Sequence, residues 1–229
     1  MRILIGLECS CVIRDAFLEA GHDTWSCDLK PAERDPSRHY QCDILSILDK
    51  NWDMLIAHPV CRFNAHSGSQ WYYHPEDKHL PKEQRRPHPL YPTRRDDQKK
   101  AIALFKALWN APIEKNCLEN PLPLPELVQE VGKWNPKIQP FFFGDRYQKT
   151  TCLWLKNLPE LIPTRIVDRG EFIMTKGGKR IPKWYSDAKT SDKEKTSTTR
   201  SRTFEGIAKA MASQWGNQKF TNYKPYFFN

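Results

Sequence analysis

Apolar residues fall in short runs separated by polar turns. A run over 2–7 closes on Gly6-Leu7-Glu8-Cys9-Ser10, and Val12, Ile13, Ala16, Phe17 and Ala20 then follow at helical spacing. This predicts strand, turn and helix across the first twenty residues. Gly21-His22 stops that helix, and 24–27 reads as a second strand ending on Asp28. After a polar loop, Cys42-Asp43-Ile44 opens a new unit, and 52–57 reads as a buried strand delivering His58-Pro59-Val60-Cys61. Ala101, Leu104, Phe105 and Leu108 mark one face of a helix over 96–110. The strand predicted over 114–118 ends at Glu119-Asn120-Pro121, where prolines 121, 123 and 125 forbid its continuation. Two more strands, 139–143 and 151–155, flank the turn Gly144-Asp145-Arg146. Alternating strands and helices predict an α/β fold on a parallel sheet.

Two stretches break this rhythm. Residues 62–97 hold Trp71-Tyr72-Tyr73, five prolines, four histidines and the basic pairs Arg85-Arg86 and Arg94-Arg95, and read as a long functional loop or lid. Beyond Pro163 a basic, aromatic hairpin is predicted, 171–175 with 180–185, closed by Lys176-Gly177-Gly178-Lys179. A Lys/Ser/Thr-rich link follows over 187–201, and a closing helix over 204–215 carries Ile207, Ala208, Met211 and Trp215 on one face. The expected organisation is a core over 1–163, a small basic recognition hairpin and linker over 164–199, and a C-terminal helix over 200–229 that returns to the core.

Charge adds a direction. The 229 residues carry a formal +9, and residues 164–229 hold 14 Lys/Arg against 6 Asp/Glu, leaving 22 against 21 in the first 163. A basic last third favours a polyanionic partner such as DNA, with simple solubility as the alternative. Arg85 and Arg86 in the lid, with Lys176, Lys179, Arg180, Lys183 and Trp184 in the hairpin, are the candidate DNA contacts, since cations interleaved with aromatic rings suit backbone tracking and base stacking. No apolar run approaches a membrane span of ~20 residues. The start is interrupted by charge too early for a secretory signal, so the seven cysteines are expected in a reducing cytoplasm. They lack C-x-x-C spacing, and no zinc site is expected.

In a parallel sheet the ligand crevice lies beyond the carboxyl ends of the strands. Four such ends carry Glu8-Cys9-Ser10, Asp28, His58-Pro59-Val60-Cys61 and Glu119-Asn120. A carboxylate ending a second strand, here Asp28, can grip ribose hydroxyls or merely form a turn. Cys61 can be a nucleophile toward electron-poor carbon or a small buried hydrophobe. Glu119 gives the first reading weight, because a carboxyl there could hydrogen-bond or protonate a ring while the thiolate attacks it.

The order of these motifs resembles the S-adenosylmethionine-dependent cytosine carbon-5 DNA methyltransferases, most closely the short bacteriophage type. The resemblance runs from Ile5-Gly6-Leu7-Glu8-Cys9-Ser10 through Pro59-Val60-Cys61 and Glu119-Asn120-Pro121. It continues in Gln139-Pro140, Thr151-Cys152-Leu153-Trp154-Leu155-Lys156 and Arg200-Ser201-Arg202-Thr203-Phe204. It implies a Rossmann-like methyltransferase sheet with a small basic hairpin appendage, in the cytoplasm of a bacterial host. By this resemblance Cys61 attacks carbon 6 of cytosine, Glu119 partners ring nitrogen 3, and Arg146 and Lys149 are the candidate cations near the base. S-adenosylmethionine would be held by Gly6, Glu8, Ser10, Asp28, Asp43, Pro59 and Gly206. Three segments depart from the family pattern: Cys9 and Cys11 stand in the first turn where the family has glycine, Val60 replaces a second proline, and Gln148-Lys149-Thr150-Thr151 replaces paired arginines. Alternatives on the same scaffold are modification of a free pyrimidine nucleotide and a non-catalytic DNA- or protein-binding relative.

Overall fold

The computed structural model describes residues 1–216, so the part of the expected C-terminal segment at 217–229 lies outside the described residues. Five parallel strands run inward from one edge of the sheet: β1 (Arg2–Gly6), β2 (Asp23–Asp28), β3 (His39–Gln41), β4 (Met54–Ala57) and β5 (Lys115–Pro121). Two more, β6 (Lys137–Ile138) and β7 (Thr151–Lys156), complete the order β3-β2-β1-β4-β5-β7-β6. β7 runs antiparallel to both β5 and β6, so the sheet is mixed rather than wholly parallel. This is the α/β, Rossmann-like sheet that the methyltransferase resemblance implies.

Period-two alternation explains why both faces are covered. Ile3 and Ile5 of β1, with Met54 and Ile56 of β4, point to one side, where Ile13 and Phe17 of α1 (Val12–Glu19) meet Ile207, Met211 and Trp215 of α6 (Glu205–Gly216). Leu4, Leu55 and Ala57 point to the other, against Phe105 and Leu108 of α2 (Arg94–Trp109) and Leu127 of α3 (Pro125–Val131). Trp154 of β7 closes that layer edge-on to Phe105, with ring centres 5.0 Å apart. The chain's last described helix therefore shares a core with its first, and Gly216 at the end of α6 lies against His22 just beyond α1.

Several elements differ from the sequence reading, each for a local reason. The strand expected over 139–143 is a turn of 3-10 helix at Pro140–Phe142, because Pro140 cannot donate to a ladder. The second hairpin strand stops early: β8 (Phe172–Met174) pairs with β9 (Arg180–Pro182), and Pro182 then leads into a short helix, α4 (Lys183–Asp187). The link over 187–201 contains α5 (Lys193–Ser201), and the lid over 62–97 is built of short 3-10 turns rather than irregular loop. Among the described residues, no helix is long and apolar enough to cross a membrane.

Candidate active site

The sheet register brings the strand ends into one row. Cys27, Gly6, Ala57 and Leu118 pair across β2, β1, β4 and β5, so the next position along each strand is Asp28, Leu7, His58 and Glu119. The order reverses between β1 and β4, where ligand crevices form in such sheets. His58 and Glu119 are thereby neighbours, with Nδ1 3.6 Å from Oε1 and both side chains about seven-eighths buried. His58 is tied to β1 through its backbone N–H, which donates to the Gly6 carbonyl at 3.0 Å.

Cys61 opens the 3-10 turn Cys61–Phe63 three residues further on and is half-buried. Burial pushes its thiol from 9.0 up to about 11, and the Glu119 carboxylate pushes the same way, while Lys149 and Arg62 pull it back. Burial also works to neutralise Glu119, but His58 and Lys149 outweigh it and hold the carboxyl below its ordinary range. The four groups thus form one electrostatic unit: a protonated thiol, an ionised carboxylate, a cation and an imidazole. Of the two cations expected from the sequence, the structure brings Lys149 to this unit. Arg146 is exposed and instead pairs with Asp168 at 2.6 Å. Lys149 is itself anchored, its Nζ donating to the carbonyls of Ser201 and Arg202 at 3.2 Å, so the segment before α6 helps hold a positive charge near Cys61.

Sequence reasoning assigned no role to His58 or Asn64. Asn64 is fully buried behind Cys61 with both amide atoms unpartnered among the described residues, and its backbone carbonyl accepts from Leu124 N–H at 2.7 Å. His58 was legible as a strand-end residue, but its partner depends on β4 and β5 being neighbours.

The first turn holds the residues implied for a cofactor. Leu7 and Cys11 adopt left-handed backbone, φ 58 and 64, where glycine would carry no strain, which is the structural counterpart of the altered glycine pattern. Glu8 organises this turn. Its Oε1 accepts from Val12 N–H at 2.9 Å and from the Ser10 hydroxyl at 2.5 Å, capping α1. Its other oxygen is buried without a partner among the described residues, an acceptor of the kind that suits the ammonium of an amino-acid-bearing ligand. Gly6 lies under Ile44, whose side chain leaves no room for a Cβ. Half-buried Asp28 and exposed Asp43 each accept a backbone N–H two residues on, from Lys30 and Leu45, and Pro59 is buried beside the row. Gly206 donates its N–H to Asp145 at 2.9 Å, and a Cβ there would run into the Phe143 carbonyl.

The lid is held by cations stacked on rings. Arg62 and Arg94 cover Phe63, Arg94 and Arg95 cover Tyr72, and Arg95 and Arg85 cover Tyr73, at 4.7 to 5.5 Å from the ring centres. This alternating series runs from the residue beside Cys61 to the outer lid. Tyr72 fastens it by donating to the Phe63 carbonyl. Arg85 also donates to the carbonyls of Leu80 and Lys78, and Arg86 grips buried Asp77 through Nε and Nη2. Both arginines expected to touch DNA therefore also organise the lid. In the appendage, Trp184 donates to the Gln148 carbonyl and packs on Tyr147 and Phe204, Lys183 pairs with Glu171 at 2.7 Å, and Arg180 covers Phe172. Lys176 and Lys179 stand exposed at the hairpin tip.

No known family profile matches the chain, and no curated protein does. Among solved structures, the chain is similar to one described as a candidate DNA modification methyltransferase encoded within an E. coli prophage. The identity is 15% and the TM-score 0.42, over 73% of this chain and 52% of that one. The chain thus spans about half the length of that protein.

Proposed function

We propose that the protein methylates carbon 5 of cytosine in DNA through a covalent adduct with Cys61. The observation that carries this reading is the placing of Cys61, Glu119 and Lys149 as one electrostatic unit at adjoining strand ends. A pyrimidine lying there would meet a thiol on one ring carbon and a carboxyl on a ring nitrogen, the pair needed to make carbon 5 nucleophilic. Cys61 Sγ bonds to carbon 6, Glu119 carries a proton to nitrogen 3, and Lys149 offsets negative charge as the thiolate forms. Loss of the carbon-5 proton then expels Cys61. S-adenosylmethionine would be held by Glu8, Ser10, Asp28 and Asp43 with Gly6 and Pro59 beside them, and would supply an electrophilic methyl group. A base in duplex DNA must be extruded to reach such a crevice, at a cost of a few kcal/mol. The lid cations and the exposed lysines at the hairpin tip supply the surface for the distorted strand.

The test is transfer of tritium from labelled S-adenosylmethionine to duplex DNA, single-stranded DNA or dCMP, with Cys61→Ala in parallel. Label on DNA that vanishes in the variant is expected. Label on dCMP alone would transfer the reading to a free nucleotide, and full transfer by Cys61→Ala would remove the nucleophile.

A further inference from the structure

His58 is held at three points that together describe more than a packing residue. Its N–H is fixed on Gly6, its Nδ1 faces Glu119 Oε1 at 3.6 Å, and its Nε2 is buried with no partner among the described residues. Neutral imidazole carries a proton on one nitrogen and a lone pair on the other. A carboxylate opposite Nδ1 selects the tautomer with the proton there and leaves Nε2 as a bare acceptor. Such a ring can give a proton from one edge while taking one at the other. Addition of Cys61 to cytosine calls for that exchange, because the thiol loses a proton, ring nitrogen 3 gains one, and ionised Glu119 has none to give until it receives one.

We propose, resting on the cytosine reading above, that His58 is the proton carrier of the site, passing its Nδ1 proton to Glu119 Oε1 and taking one up at Nε2. The step balances without a further reactant. The S–H bond of Cys61 breaks, its proton passes to His58 Nε2, and its electron pair forms the bond to carbon 6. The displaced ring π pair ends on nitrogen 3, where the N–H bond forms, while His58 and Glu119 each lose one proton and gain one. The charged groups around the pair come from each neighbouring element: Glu119 from β5, Cys61 and Arg62 from the turn after β4, and Lys149 from the segment before β7. His58 acts through Glu119, so its signature is a proton-transfer defect and not a binding defect.

Two measurements on the full chain test this. Nitrogen-15 spectra of the histidines without DNA should show His58 protonated on Nδ1 at neutral pH, with that preference lost in Glu119→Gln; a proton resident on Nε2 would overturn the proposal. Formation of the Cys61 adduct with 5-fluorocytosine DNA should slow by about 100-fold or more in His58→Asn, at unchanged DNA affinity. Asparagine can still offer Glu119 a donor but cannot relay a proton, so a merely structural His58 predicts an adduct rate near that of wild type, which would also overturn the role. Wild-type protein that forms no adduct would instead refute the cytosine reading and the role with it, so the two failures are distinguishable.

Discussion

The reactivity of Cys61 is the most quantitative consequence of the site, and Glu119→Gln is the perturbation that isolates it. At about pH 8, a thiol titrating near 11 is roughly one part in a thousand thiolate, against about one in ten at the ordinary 9.0. Burial is the larger cause of that suppression and Glu119 the second. A neighbouring opposite charge moves a carboxyl pKa by about 1 to 3; taking a like charge to act with similar size and opposite sign, the low end applies here because burial dominates. Removing the carboxylate charge should therefore increase the thiolate about tenfold. The nucleophilicity of each thiolate falls as its pKa falls, with a slope of about 0.5, so the net gain is about threefold. Alkylation by iodoacetamide, followed at Cys61 by peptide mass spectrometry, reads this directly without substrate or cofactor. Mapping is needed because Cys9 is also pushed up to about 11, and Cys27 and Cys152 to about 12, chiefly by burial. Lys149→Met should move the rate the other way. An unchanged or slower rate in Glu119→Gln would show that the carboxylate does not govern the thiol, and the electrostatic unit would be refuted.

Other expectations test the surroundings. Arg86 holds the Asp77 carboxyl far below its ordinary 3.8, so this clamp contributes to the lid above that pH and is lost as pH falls through the depressed value. Asp77→Asn should make the lid sensitive to proteolysis at neutral pH, where wild type resists, and equal cleavage of both would contradict the clamp. Gly206→Ala should destabilise the fold by about 1 to 3 kcal/mol through overpacking against the Phe143 carbonyl. Gly177→Ala, in open space, is the control, and matching denaturant midpoints for the two would count against that packing. Neutralising Lys176 and Lys179 together should reduce the slope of log K against log salt for DNA binding by about 0.9 per lost phosphate contact; an unchanged slope would remove the hairpin tip from the interface.

Much of the frame is legible in the chain because it depends on local patterns. The apolar runs at 2–7 and 52–57 locate β1 and β4, and each hands a polar group to the crevice. Strand direction is a different matter. Nothing in Thr151-Cys152-Leu153-Trp154-Leu155-Lys156 distinguishes an antiparallel β7 from a parallel one, since burial on both faces produces the same apolar run. The short β3 and α3 lack the length that periodicity needs, and the alternating prolines 121 and 123 before α3 mask Pro125 as a helix-starting residue. Within the site, Cys61 and Glu119 could be read from their strand-end positions, whereas the choice of Lys149 over Arg146 could not. Arg146 is diverted by Asp168, 22 residues away, and such a pairing is decided in three dimensions. The link between His58 and Glu119 is equally non-local, set by the rung after Ala57 and Leu118.

The central claim is that Cys61 becomes covalently joined to cytosine in DNA, and denaturing mass spectrometry after incubation with 5-fluorocytosine duplex and S-adenosylmethionine tests it most directly. The account predicts a protein–DNA adduct that maps to Cys61 and is absent in Cys61→Ser. An adduct that persists in Cys61→Ser, or wild-type protein that methylates DNA without forming one, would contradict it.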